Sequence, residues 1–223
     1  MTSLKYLCAA SALALAASAQ AGPLIDESFD DITTLAGKGW VLTNDSIPTG
    51  KTAWFQGDVG AAGDIFYGDG SSGGGYIGAN YENAGTGGFV NNFLITPVFS
   101  TASAGSVSFL AKADVSDPSF YDLIRVGFSS GSSDPFNFSL TPSITLTGDW
   151  VQYTYSYAAA GIGSVARFAI DYTGWAKNAN YIGIDSFTVT PVPEPSTWAL
   201  LALGLACMVV YSRRRTAASQ AQA

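Results

Sequence analysis

Residues 22–191 consist of short apolar runs separated by Gly, Ser, Asn and Pro. Two of these runs, residues 106–113 and 151–157, alternate between apolar and polar side chains, as expected of strands with one buried face. Trp150 precedes the second run, and we expect its ring to be largely buried between two sheets. The pattern predicts strands over residues 24–29, 39–42, 76–79, 93–96, 106–113, 123–128, 150–157, 166–172 and 181–190. No segment of this region keeps a helical period, so the sequence predicts an all-β domain with a jelly-roll or β-sandwich fold.

The last predicted strand changes phase partway along its length. Ile182 and Ile184 share one parity, whereas Phe187 and Val189 share the other. Both pairs can face the core only if an extra residue is inserted between them. The sequence therefore predicts a β-bulge near Asp185, which would redirect that carboxylate.

The first 21 residues have the three parts of a secretory signal peptide. Lys5 supplies a positive charge, residues 7–17 are apolar, and Ala19-Gln20-Ala21 offers small residues at a cleavage point. The alternative is an N-terminal membrane helix, which needs ~20 apolar residues, more than this run contains. We expect residues 1–21 to be removed during export.

The C-terminal region combines a proline-rich motif, an apolar run and a basic end. Its prolines cannot continue a helix or a strand, so the motif is expected to be an accessible hinge. The uncharged residues 198–211 would form a helix about 21 Å long, short for a hydrocarbon core of about 30 Å. The basic cluster would stay on the cytoplasmic side. The motif and the cluster are Val192, Pro193, Glu194, Pro195, Arg213, Arg214 and Arg215.

This order of features resembles the PEP-CTERM sorting signal of Gram-negative bacteria. The resemblance implies recognition by an exosortase, a membrane protease that cleaves near Glu194. It also implies a transient stay in the inner membrane, then delivery to the cell surface or extracellular matrix, in association with exopolysaccharide and biofilm. The alternative is an ordinary tail anchor. The predicted divisions are a signal peptide (1–21), a β domain (22–191) and a sorting signal (motif 192–197, transmembrane helix 198–211, basic tail 212–223).

The central domain has its own set of landmarks, which are residues 27–30, Trp40, and residues 92–97, 108–111, 150–153 and 181–185. Their order is similar to that of the choice-of-anchor J domain, which is related to the cleaved-adhesin and MAM-like jelly rolls. The resemblance implies a noncatalytic surface module. Relatives usually close with two adjacent acidic residues, whereas this chain has Asp185 followed by Ser186.

The same resemblance implies a structural calcium ion between the first and last strands. Glu27 and Asp185 would converge there, and Asp26 or Asp30 with backbone carbonyls would complete the oxygen shell that Ca²⁺ prefers. The alternative is that these carboxylates lie on edge strands and turns and face water.

Composition removes several classes of chemistry. The chain has no histidine, which excludes Ser-His-Asp and Cys-His catalysis and His-based metal sites. Its cysteines, Cys8 and Cys207, lie in the terminal apolar segments, so the domain has neither a disulfide nor a zinc-thiolate site. Residues 22–191 carry six basic and sixteen acidic residues, which makes a nucleic-acid partner unfavourable.

Aromatic residues in or beside loops are candidates for stacking on sugar rings; they are Trp54, Phe55, Tyr67, Tyr76, Tyr81 and Trp175. The alternative is that they cap the core with one polar end in water. Paired acids of a glycosidase could come from Asp58 and Asp64 or from Asp114, Asp117 and Asp122, but no spacing supports this. An ice-binding surface would need a regular Thr face, which the sequence lacks. We therefore predict a noncatalytic exported binding or structural protein, with a carbohydrate-active enzyme or an ice-binding protein as alternatives.

Overall fold

The computed structural model describes residues 22–57 and 74–192, together with Gly204. Contacts divide the chain into two units, of which Gly22–Val192 is one. The predicted signal peptide and, apart from Gly204, the predicted apolar helix at residues 198–211 lie outside the described residues.

Two antiparallel sheets make up the described part of Gly22–Val192. The strands described are β1 (Ile25–Glu27), β2 (Val41–Asn44), β3 (Ile47–Thr49), β4 (Phe55–Gly57), β5 (Tyr76–Asn80), β6 (Ala84–Ile95), β7 (Phe99–Ser100), β8 (Gly105–Ala113), β9 (Leu123–Ser129), β10 (Ser139–Leu140), β11 (Ile144–Thr145), β12 (Val151–Tyr157), β13 (Val165–Trp175) and β14 (Tyr181–Pro191). The first sheet has the order β12-β8-β14-β5-β4, with β1 beside β14. The second has the order β10-β9-β13-β6-β2, with β3 beside β6, β7 beside β13 and β11 beside β9.

Three single turns of 3₁₀ helix connect these strands, at Ile32–Thr34, Tyr81–Asn83 and Pro135–Asn137. Each begins after an Asp or Asn whose side chain accepts the backbone N–H two residues later. These caps are Asp31, Asn80 and Asp134. The all-β prediction is confirmed, and each of the nine predicted segments overlaps a strand.

The predicted bulge in β14 is confirmed. The pairing between β14 and β8 shifts register between Asp185 and Thr188, and Ser186 has a φ of 50°. Ile184 before the shift and Phe187 after it are both fully buried. The extra residue therefore allows both halves of the strand to face one core.

Aromatic rings fill the centre of the sandwich. The Phe187 ring lies 5.1 Å from the ring of Trp40, 6.1 Å from that of Phe109 and 6.1 Å from that of Phe168, measured between centroids. Phe109 belongs to the first sheet and Phe168 to the second, so these contacts join the two layers.

The expectation for Trp150 is wrong. The ring is only half-buried and packs against Tyr76 and Tyr181 in a small cluster separate from the main core. Trp150 directly precedes β12, an edge strand that ends the first sheet, so the apolar face of β12 is itself only partly covered.

A partly buried ion pair joins two neighbouring strands of the second sheet. Arg125 on β9 donates from Nε and Nη2 to Oδ2 of Asp171 on β13, at 2.9 and 2.6 Å. Asp171 is fully buried, and its Oδ1 has no hydrogen-bond partner among the described residues. Burial raises the pKa of Asp171 to about 7, although the guanidinium of Arg125 acts in the opposite direction.

The contacts of Phe187 generate a stability prediction. Phe187→Ala should lower the free energy of unfolding by about 3–5 kcal/mol, because it empties an aromatic site at the centre of the core. Phe136→Ala is the matched control, since Phe136 is 95% exposed, and it should change the free energy by no more than about 0.5 kcal/mol. Urea unfolding followed by tryptophan fluorescence measures both. Equal effects of the two substitutions would contradict the described core.

The Asp171 carboxyl generates a prediction about pH. Its folded pKa of about 7 lies above the ordinary value of 3.8, so between these values the folded chain keeps a proton that the unfolded chain has lost. Stability from this group therefore falls as pH rises, by at most about 1.4 kcal/mol per pH unit. Relative to the unsubstituted chain, Asp171→Asn should gain stability between pH 4 and 7 and level off above pH 7. Urea melts across pH 4–8 test this, and a difference that stays constant with pH would contradict it.

Candidate ligand-binding face

An exposed apolar strip crosses the outer face of the second sheet. Phe89 on β6 pairs with Ile47 on β3 on one side and with Trp175 on β13 on the other. Directly paired residues of antiparallel strands lie on the same face. Their exposed fractions are 38% for Phe89, 76% for Ile47 and 54% for Trp175. The rings of Phe89 and Trp175 meet edge to face at 5.5 Å. We call these three residues the aromatic strip.

Alternation along each strand shows which side chains point to the core and which point to the outer face of the sheet. Val90 and Leu94 on β6 contribute to the core between the sheets, so Phe89 and Asn91 point to the outer face. On β13, Ile170 and Tyr172 contribute to the same core, which places Asp171 and Trp175 on the outer face by the same argument.

Polar side chains lie directly beside the aromatic strip. The Asn91 Oδ1 accepts a hydrogen bond of 3.2 Å from Arg125 Nη2, and the Asn91 carbonyl accepts the backbone N–H of Asp45 at 2.9 Å. The Arg125 side chain keeps 32% of its surface exposed, and Asp45 is exposed. The negative charge of Asp45 is a further, smaller reason for the raised pKa of Asp171. We call Asp45, Asn91, Arg125 and Asp171 the polar row.

The rest of this face is covered by the chain itself. Phe138, which follows the third 3₁₀ turn, packs on Phe93, Ile95 and Ala169. The part of the face left open therefore contains the aromatic strip and, from the polar row, Asp45, Asn91 and Arg125, while the buried Asp171 holds Arg125 in place. An apolar platform beside fixed donors and acceptors can hold a flat, hydroxyl-rich molecule by ring contact and hydrogen bonds together.

The aromatic residues predicted from the sequence that the structure describes separate into three groups, and Tyr67 is not among them. Trp54 and Tyr76 are 6% and 0% exposed, so the prediction that they contact a ligand is wrong, and their rings belong to packed clusters. Trp175 and Tyr81 are exposed, at 54% and 45%. Phe55 is half-buried against Tyr181. Tyr67 lies outside the described residues.

Two of the carboxylates predicted for calcium lie in the interior of the domain, since Glu27 is 5% exposed and Asp185 is fully buried. β1 is a neighbour of β14, as the prediction requires, and Glu27 pairs with Phe187 on the inner face. Asp185 pairs with Leu110, whose neighbours in β8 face the core, so Asp185 is on the outer face. Glu27 forms an ion pair of 2.8 Å with Lys38.

The two remaining predicted calcium ligands, Asp26 and Asp30, are exposed, and Asp30 accepts a hydrogen bond from the hydroxyl of Ser28. Within residues 22–57 and 74–192 no three acidic side chains are grouped so that they could hold a metal ion. The calcium ion itself stays a prediction.

Three of the acids considered as glycosidase catalysts are among the described residues, and each accepts hydrogen bonds from nearby groups of the fold. Asp122 is buried and accepts hydrogen bonds from the Tyr172 hydroxyl and from the backbone N–H of Asn180. Burial raises the pKa of Asp122. Asp114 accepts a hydrogen bond from the Asn180 side chain, and Asp117 accepts the N–H of Ser119 within a turn. Asp58 and Asp64 lie outside the described residues.

Sequence reasoning missed most of the open face. Residues 85–88, Gly-Thr-Gly-Gly, look like a loop, so the first half of β6 with Phe89 and Asn91 was not predicted. One signal was available: Arg125 alternates with Ile124 and Val126 in a predicted strand, which places it on the outer face.

Comparison with known families identifies the tail. The PEP-CTERM protein-sorting motif matches residues 191–215. Among the sorting residues, Val192 is described and exposed, whereas Pro193, Glu194, Pro195, Arg213, Arg214 and Arg215 lie outside the described residues. No helix in the described part of the chain is long and apolar enough to cross a membrane. A comparison with curated protein sequences finds no significant match.

Comparison with solved structures identifies the fold. The K3 cleaved adhesin domain of Lys-gingipain from Porphyromonas gingivalis is 20% identical, with a TM-score of 0.58 over 76% of this chain and 98% of that chain. The K1 domain of the same protein is 20% identical, with a TM-score of 0.55 over 77% and 99%. The chain thus has a β-sandwich with the fold of cleaved adhesin domains, followed in the sequence by a PEP-CTERM sorting motif.

Proposed function

We propose that this chain is an exported, noncatalytic surface protein whose domain binds polysaccharide through the aromatic strip and the polar row. The observation that carries the proposal is the exposed ring of Trp175, which stands beside Phe89 and next to the polar row. A sugar ring has an apolar C–H face and a polar rim, so it can contact the strip and hydrogen-bond to the polar row at once.

The rigidity of the face supports binding. All of its residues except Asp45 stand on paired strands of the second sheet. Asp45 lies between β2 and β3, where its N–H is bonded to Asn91, and Arg125 is held by both Asp171 and Asn91. A surface that is already ordered loses little conformational entropy when a ligand binds. The Asn91 amide and the exposed part of Arg125 keep donors at fixed positions beside the ring.

The sorting motif supports the cellular part of the proposal. We propose that an exosortase removes the tail after transient insertion in the inner membrane of a Gram-negative bacterium. The domain then resides at the cell surface or in an exopolysaccharide matrix, as part of a biofilm. The match to residues 191–215 supports export and processing. The exposure of Val192 supports access of a protease to the start of the motif.

The role of the strip can be tested by substitution. A panel of polysaccharides first identifies those that the unsubstituted chain binds. For each of these, Trp175→Ala should weaken binding by at least about 30-fold, equivalent to ~2 kcal/mol for a central aromatic contact. Phe136→Ala is the control, because it removes an even more exposed ring that lies outside the strip. Affinity electrophoresis measures both variants. Unchanged binding of the Trp175 variant, or an equal loss in the control, would overturn the proposed face.

The processing of the chain can be tested in its native host. Mass spectrometry of the mature protein should find an N-terminus at Gly22 and a C-terminus within residues 193–196. A strain without its exosortase is the control, and the protein from that strain should retain Arg213, Arg214 and Arg215. Retention of these arginines in the unaltered strain would instead identify the tail as a permanent anchor.

A further inference from the structure

A cavity of about 450 Å³ opens beside the start of β6. Its volume is in the range of small-molecule sites, about 300–1,000 Å³. The side chains that give it chemical character are those of Lys51, Lys177, Tyr81, Glu82, Thr49 and Thr86. We call this cavity the lysine pocket.

The two lysines are set apart from the other basic residues of the domain. Lys38 pairs with Glu27 and Arg125 pairs with Asp171, while Arg167 donates to the carbonyls of Thr96, Gly39 and Gly131. In the described ranges 22–57 and 74–192, neither Lys51 nor Lys177 has an acidic group within ion-pair distance. An acidic domain thus brings two exposed lysines to one cavity.

The walls of the pocket are fixed by backbone hydrogen bonds. The N–H of Lys51 and the N–H of Thr52 both donate to the carbonyl of Glu82, at 2.9 and 3.2 Å. On the opposite wall the N–H of Ala176 donates to the carbonyl of Gly88 at 3.0 Å. A Cβ on Gly50 would collide with the Glu82 carbonyl, so this glycine allows the close approach of the first wall. The pocket is therefore formed before any ligand arrives.

The lysine pocket adjoins the aromatic strip along two segments of chain. Ala176 and Lys177 follow Trp175 directly, and Gly85, Thr86 and Gly87 precede Phe89 in β6. A polymer that contacts Trp175 can therefore place a neighbouring unit in the pocket.

We propose that the lysine pocket binds the carboxylate of a uronic acid unit, so that the polysaccharide recognised by this domain is an acidic one. The inference rests on the proposed function, because the strip would hold the rest of the polymer. Two lysines against the single carboxylate of Glu82 leave one positive charge, which a monoanionic group neutralises. The Tyr81 ring, 45% exposed, gives the sugar an apolar surface, and the hydroxyls of Thr49 and Thr86 meet its polar rim.

The experiment compares polymers that differ only in charge. Purified full-length chain in detergent is titrated with polygalacturonate and polyglucuronate and with the methyl ester of each, in which the carboxylates are neutralised. At least one acid polymer should bind at least about tenfold more tightly than its ester, and added salt should reduce this preference because it screens the lysines. Equal affinity for acid and ester in both pairs would overturn the uronate assignment.

Substitutions of the lysines test whether the preference for the acid polymer over its ester arises in the lysine pocket. The double variant Lys51→Gln with Lys177→Gln should bind acid and ester equally, whereas the matched control Lys112→Gln should keep the preference. Thermal unfolding should be almost unchanged in the double variant, as expected for the two exposed lysines of the pocket. A preference that survives the double substitution overturns the site, and equally tight binding of dextran sulfate overturns the choice of carboxylate. Trp175→Ala separates the two proposals, since loss of the proposed face lowers affinity for acid and ester alike.

Discussion

The domain depends on one constraint, that β14 must bury apolar side chains on the same face along its whole length while its sequence changes phase. β14 lies between β8 and β5 and also pairs with β1, so three strands of the first sheet take their register from it. The bulge after Asp185 resolves the phase change and brings Phe187 into contact with Trp40, Phe109 and Phe168. Without the extra residue, Phe187 would face away from the second sheet.

The register of the second sheet has a parallel consequence at the surface. β6 and β13 must direct Val90, Leu94, Ile170 and Tyr172 into the core. Because side chains alternate along a strand, the intervening residues must then point to the outer face. Pairing across β3, β6 and β13 aligns the aromatic strip on that face. The candidate site is thus fixed by the same pairing that forms the core, and a rigid sheet positions it.

The sequence predicted the structure well where the local alternation of side chains determines a strand. It predicted less where a strand depends on the strands that pair with it. Alternation and the phase change in residues 181–190 were enough to predict the strands and the bulge. The Gly-rich start of β6 lacks any apolar alternation. It is a strand because β3 pairs with it between Ala84 and Phe89, and the N–H of Ala176 also donates to the Gly88 carbonyl. The exposure of Trp175 and the burial of Tyr76 likewise depend on which strands lie beside them, so two aromatic residues with similar local sequence surroundings have opposite roles.

Burial of the Asp171 carboxylate, which belongs to the polar row, has a desolvation cost that the packing of the core does not require. Asp171 is fully buried, its Oδ1 has no hydrogen-bond partner among the residues that the structure describes, and burial raises its pKa although Arg125 acts in the opposite direction. An apolar pair at these positions would avoid the penalty. What the pair provides is a guanidinium held in one orientation, with Nη2 directed to Asn91 and part of its surface open to solvent. The ion pair thus has a desolvation cost and in return keeps a partly exposed donor in place, an arrangement that suits the proposed binding face.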